Sequence, residues 1–386
     1  MSSETPPVRF RPGTDQAILP TKRAVRLDVL PGFFAVHSFL AYRPGTPMPK
    51  LHLLLPLVPM AAMFSTPQTQ AAGNDAQTPL LLVANKGDHT VSLVDPKAGR
   101  QISTVDVHGV TGHELIASPD GRYAYVPIYG DSGVGLPGSD GSTLAVIDLG
   151  ARRLSGNVDF GHGVRPHCAL LGPKDGLLYV TTELEQSVTV IDPQTLKIVA
   201  RIPTSQPESH MLAITRDGRR GYTANVGPGT VSVLDLMTRK PITVIPVASR
   251  IQRISLSVDD RLAFTSDQTK PQLAVIDTAT NKVKTWVQLP AQGYGTAPTP
   301  DGRWLVVALR KGNKVAVVDL STMRVAHTID VPAVPQEVLI PPDGHAAYVS
   351  CDASHRVAVI RTSDWTVEKL IDAGPSADGL AWAAAK

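Results

Sequence analysis

The 386-residue chain reads as all-β: a seven-bladed β-propeller of four-stranded antiparallel blades, its ring closed by pairing of the N- and C-terminal strands. Three observations carry this reading. One strand-like line recurs seven times, as TVSLVD ending at Asp95, TLAVID at Asp148, SVTVID at Asp192, TVSVLD at Asp235, QLAVID at Asp277, KVAVVD at Asp319 and RVAVIR at Arg361, at intervals of 42 to 53 residues. A turn precedes six of these lines, at Asp120, Asp175, Asp217, Asp260, Asp301 and Asp343, and Asp-Gly between two apolar runs makes a hairpin. Composition agrees: glycine (31) and proline (33) are abundant, aromatics are 5% and apolar residues 42%, as in many short strands around a sizeable core.

The elements follow in order. Residues 1–47 are rich in Pro and Arg without periodicity, and read as a disordered leader or a start assigned too early. Residues 48–72 read as a secretory signal peptide: Lys50, an apolar stretch from Leu51 to Phe64, then small residues at Ala71 and Ala72. That stretch contains Pro56 and Pro59 and falls short of the ~20 residues a membrane span needs. A short linker at 73–77 leads into the propeller at 78–386. The expected location is therefore periplasmic or secreted. Within the ring, each unit is strand, turn, strand, loop, strand, turn, strand. LLLVANKGDHTVSLVD opens the first blade, and SADGLAWAAA at the far end supplies its missing innermost strand. Closure removes the sheet edges that would invite association, and a monomer is expected.

Charge excludes one class of partner. A net charge of +3, from 37 basic and 34 acidic residues without a Lys/Arg block, gives no footprint for nucleic acid. Cys168 and Cys351 form neither a disulfide framework nor a cysteine-rich metal site and are expected free.

The repeat places one residue per blade at the head of the innermost strand, seven positions before the turn aspartate and eight where Lys174 is added. Round the ring these are Asp378, His113, His167, His210, Arg253, Tyr294 and Gln336. One arc offers a carboxylate and three imidazoles, the expected ligands of a divalent metal, zinc first, with copper, nickel or iron as alternatives. Arg253, Tyr294 and Gln336 form the other arc, suited to an anionic or carbonyl-bearing ligand. An insertion, GDSGVGLPGSDGS, opens beside the mouth, and the corresponding loops of other blades carry Glu183, Asn225, Asp267, Arg310 and Cys351.

The strands YAYVPI, LLYVTT and AAYVSC after the turns resemble the YVTN family of seven-bladed propellers, over roughly residues 78–386. TTELEQSVTV, around Glu183, resembles propeller lactonases of the 6-phosphogluconolactonase type. The histidine ring points to a metal-dependent hydrolase or lyase acting on a small acid, lactone or carbonyl compound. Glu183 would be the base, with Arg253 and Tyr294 orienting the substrate. The alternative is a non-catalytic periplasmic propeller that binds a small molecule, a periplasmic protein or a redox partner.

Overall fold

A computed structural model describes residues 78–110 and 112–385, so the leader, signal peptide and linker expected before residue 78 lie outside the described residues. The described chain forms seven four-stranded antiparallel sheets, here blades I to VII, with one 3-10 turn at Asp352–Ser354. Blade I is the joint. Its three outer strands come from the start of the ring, and Ala377–Ala383 pairs with Leu80–Asn85 as its innermost member.

Side-chain alternation explains the core. The second and third strands of each blade are buried on both faces, so their residues run apolar, whereas outermost strands such as Lys197–Pro203 alternate exposed and covered positions. Apolar clusters bridge neighbouring blades, as where Tyr179 and Val190 meet Leu212 and Tyr222.

The innermost strands carry a shared irregularity. Their pairing to the second strand slips near the head in six blades, between Pro166 and Ala169, Ser209 and Met211, Gln252 and Ser255, Gly293 and Thr296, Pro335 and Val338, and opposite Val83 and Asn85. Such a bulge re-aims side chains, so two successive residues per blade are presented near the channel. The upper tier is Asp378, His113, His167, His210, Gln252, Tyr294 and Gln336. The lower is Gly379, Glu114, Cys168, Met211, Arg253, Gly295 and Glu337. Both lower-tier glycines are steric necessities: a Cβ on Gly295 would strike the Gln336 carbonyl, and one on Gly379 the His113 carbonyl.

Arg253 is thus displaced from its expected register. In blade V the turn aspartate is Asp259, which accepts from the Ser257 hydroxyl and the Arg261 amide, as Asp217 accepts from Thr215 and Arg219. Asp260 follows at φ 60°, the position Gly218 occupies in blade IV at φ 70°. Counting from Asp259 puts Gln252 at the strand head and Arg253 one step deeper.

Candidate functional site

The seven predicted strand-head residues line one cavity of about 300 Å³ at the channel mouth, together with Lys86, Tyr129, Gln252 and the exposed Arg250 and Arg310. Both cysteines are free and buried, as expected.

On one side stand the imidazoles of blades II, III and IV. The His167 and His210 rings stack at 3.4 Å with 33° between planes, and His113 lies 5.1 Å from His167. Tyr129 presents its ring edgewise to all three, at 5.1 to 5.8 Å. Burial, then the neighbouring histidines, holds His167 well below the ordinary imidazole range; burial, then His113 and Arg253, does the same for His210. Both are neutral rings at pH 7. The Nδ1 atoms of His167 and His210 are buried without a hydrogen-bond partner among the described residues, His210 Nδ1 standing 4.0 Å from the Glu183 carboxylate, and buried polar groups in native structures are usually bonded to protein, water or ligand.

On the other side and below lies a buried ion cluster. Arg253 pairs through Nη1 with Glu114 and Glu337, and through Nη2 with Asp378 at 3.2 Å. Asp378 also meets Lys86 at 3.1 Å and His113 Nδ1 at 3.3 Å. Burial opposes its ionisation, but Lys86, His113 and Arg253 outweigh that and hold it well below the carboxylate range. Burial drives Glu114 and Glu337 the other way, upward, against the pull of Arg253. Arg253 itself has φ 63°, a left-handed backbone that costs a bulky residue on the order of 1–3 kcal/mol and persists only where its surroundings fix it.

Three sequence expectations change here. Arg253 is not a free receptor for an anion, because three carboxylates already surround it. Asp378 is a hub for cations, with both oxygens engaged. Glu183 lies behind the wall: it accepts from the Tyr129 hydroxyl, from the Gly135 amide at 3.1 Å and from Arg165 at 3.3 Å. Arg165 also bonds Asp140 at 2.7 Å and the Leu136 carbonyl at 2.8 Å, so Glu183 and Arg165 pin the inserted loop over the cavity. Tyr294 and Gln336 are where they were expected. The Tyr294 ring lies between two guanidinium groups, Arg253 at 5.0 Å and Arg310 at 5.1 Å, and its hydroxyl accepts from Gln252 at 3.0 Å. Gln336 donates to Asp352 at 2.6 Å.

The expected zinc-type centre is overturned. Imidazoles radiating from one small ion at about 2 Å hold their ring centres well apart, whereas His167 and His210 are stacked side by side. No group of three or more ligating side chains is disposed around an ion among the described residues.

Fold and site together define a closed propeller with a buried, histidine-rich polar cavity at its channel mouth. A family model described as the cytochrome D1 heme domain matches residues 171–374, and the chain belongs to that family. The family is one of heme domains, which overturns zinc as the cofactor on independent grounds. Among solved structures, the chain is similar to a hydrazine synthase chain of Kuenenia stuttgartiensis, at 20% identity and TM-score 0.64, over 77% of this chain and 99% of that one. It is also similar to the dihydro-heme d1 dehydrogenase NirN in complex with DHE, at 15% identity and TM-score 0.58, over 78% of this chain and 74% of that one. At these identities the likeness is one of fold. No curated protein matches the sequence. The propeller implied by the YVTN resemblance is present, while the lactonase likeness finds no support in these matches.

Proposed function

We propose that the channel mouth binds an iron tetrapyrrole bearing carboxylates, and that the protein is a heme-binding or redox propeller rather than a hydrolase. The observation that carries this is the pair of buried imidazoles His167 and His210, both held below the ordinary range and without a hydrogen bond at Nδ1 among the described residues, within a cytochrome D1 heme domain chain. The donor set fits such a group. Neutral imidazole is an iron ligand, and the exposed Arg250 and Arg310 have no carboxylate partner among the described residues, which leaves them for the acid groups of the ligand. When bound, the group supplies one-electron chemistry at its iron. Around it, Tyr129 and the pinned loop exclude water, and Tyr294 stands at the rim between Arg253 and Arg310. Beneath the mouth, burial pushes the Glu114 and Glu337 carboxyls upward against the pull of Arg253. Glu183 and Arg253, the base and anion receptor expected for lactone chemistry, are instead held by Tyr129 and Arg165 and by Glu114, Glu337 and Asp378.

A second reading, a binding propeller for a smaller ligand or a redox partner, draws on two observations. The cavity is only about 300 Å³, at the low end for small-molecule sites, and the family match begins after His113 and His167. Titration with iron protoporphyrin and with its dimethyl ester separates the readings. Saturable binding of the acid, weakened at least tenfold in the ester, supports the tetrapyrrole; binding of neither supports the second. No helix among the described residues is long and apolar enough to cross a membrane, and the apolar stretch at 51–64 lies outside them. Export remains part of the proposal, and intact mass of secreted protein beginning near Ala72 would support it.

A further inference from the structure

At the end of the ring opposite the histidines, between blades VI and VII, lies a cleft of about 570 Å³ that the channel chemistry does not use. Trp304 begins the second strand of blade VI, and Trp365 occupies the left-handed position, φ 56°, of a turn in blade VII. At the same repeat positions between other blades stand Tyr123 with Leu196 and Leu262 with Met323, which pack into apolar clusters. Here Trp365 and Trp304 also join an apolar cluster, but the two indoles meet edge to face at 5.8 Å and 78°, with His327 at 5.8 Å from Trp304 and 6.1 Å from Trp365, and all three rings line the cleft. The ring faces turned to the cleft make an aromatic corner, here called the cage, whose negative faces attract a cation.

Two further features give the cage its sign. Asp301, Asp343 and Asp364 face it, against a single lining guanidinium, Arg303. Asp364 is shared with Arg361 at 2.7 Å, but Asp301 and Asp343 spend one oxygen each on their own turns, leaving Oδ2 without a partner among the described residues. Hydrogen bonds from Thr299 and the Arg303 amide keep Asp301 below the carboxylate range, so it is charged. The chain also supplies its own occupant: the exposed Arg303 guanidinium lies 4.5 Å over the Trp304 ring.

We propose that this cleft is a second ligand site, for an organic cation of the alkylammonium or guanidinium class, which displaces Arg303 from Trp304 and pairs with Asp301 and Asp343. The inference is independent of the heme reading, because the two sites lie at opposite ends of the innermost strands. Calorimetric titration of the full chain with tetramethylammonium tests it. Saturable one-to-one binding is expected, weakened about tenfold in Trp304→Ala and about fivefold in Asp301→Asn/Asp343→Asn, and tightened in Arg303→Ala. The Asn pair retains the turn-capping oxygens and folds even if loss of the indole does not permit folding. No saturable binding, equal binding by the Asn pair, or equal binding of the neutral disaccharide cellobiose overturns the proposal.

Discussion

Two sides of one channel mouth hold polar groups in contrasting ways. On the first, His113, His167 and His210 pack against each other and Tyr129, and the Nδ1 atoms of His167 and His210 make no hydrogen bond among the described residues. On the second, Arg253 is ringed by Glu114, Glu337 and Asp378, with Lys86 on the far side of Asp378. The charged side is held together by ion pairs, although Arg253 Nε is buried without a hydrogen-bond partner among the described residues, and it contributes to the fold. The imidazole side is incomplete without something else, which is the mark of a binding surface. A buried charge cluster tolerates no missing member, whereas stacked neutral rings do.

The largest effect should come from the element that joins the two sides. Deleting residues 377–386 removes both the closing strand and Asp378, so the described ring loses its cooperative thermal transition. A melt like that of the full chain would mean the ring does not depend on this closure. Next, Arg253→Met leaves buried carboxylates without their counter-ion and should cost about 3–5 kcal/mol by denaturant titration. Glu114→Gln/Glu337→Gln in the same background should recover part of that loss. A cost below about 1 kcal/mol would show that the cluster is not a unit.

The two sides should also titrate oppositely. His167 and His210 have lowered folded values, so their contribution is present above the unfolded imidazole value of about 6.5 and is lost as pH falls toward the folded values. Glu114 and Glu337 have raised folded values, so theirs is present below about 4.3 and lost as pH rises through the folded values. As pH falls from 7 to 5 the imidazoles therefore lower stability while the two glutamates raise it, so His167→Gln/His210→Gln should make the change over that range more favourable than in wild type. An unchanged pH profile would remove these rings as its source. The smallest stability effect belongs to the rim: Arg250→Ala and Arg310→Ala should move it by no more than about 0.5 kcal/mol, while weakening binding of a carboxylate-bearing ligand.

Much of this was legible in the sequence. The seven TVSLVD-type lines and the orphan final strand define the ring, because a period of 42 residues leaves few other ways to bury four short strands. The three histidines were found because their blades keep the same offset to the turn. Arg253 was placed one tier too high because Asp260 mimics the turn aspartate while standing in the glycine position. Glu114 and Glu337 were missed because simple alternation turns the residue after a strand head into the blade, and only the bulge brings it back. Zinc followed from residue types alone. The stacking of two rings, which argues against it, is a property of backbone spacing between blades III and IV that no spacing along the chain reveals.

The central claim is that the imidazole side of the mouth is the binding side. Absorbance titration with iron protoporphyrin, comparing wild type with His167→Gln/His210→Gln and with Glu183→Gln, tests it most directly. The account predicts one-to-one binding in wild type, loss of the iron-ligation spectrum in the double histidine variant, and binding retained within about threefold in Glu183→Gln, whose carboxylate acts through the loop. Identical spectra and affinities in wild type and the double histidine variant would contradict it.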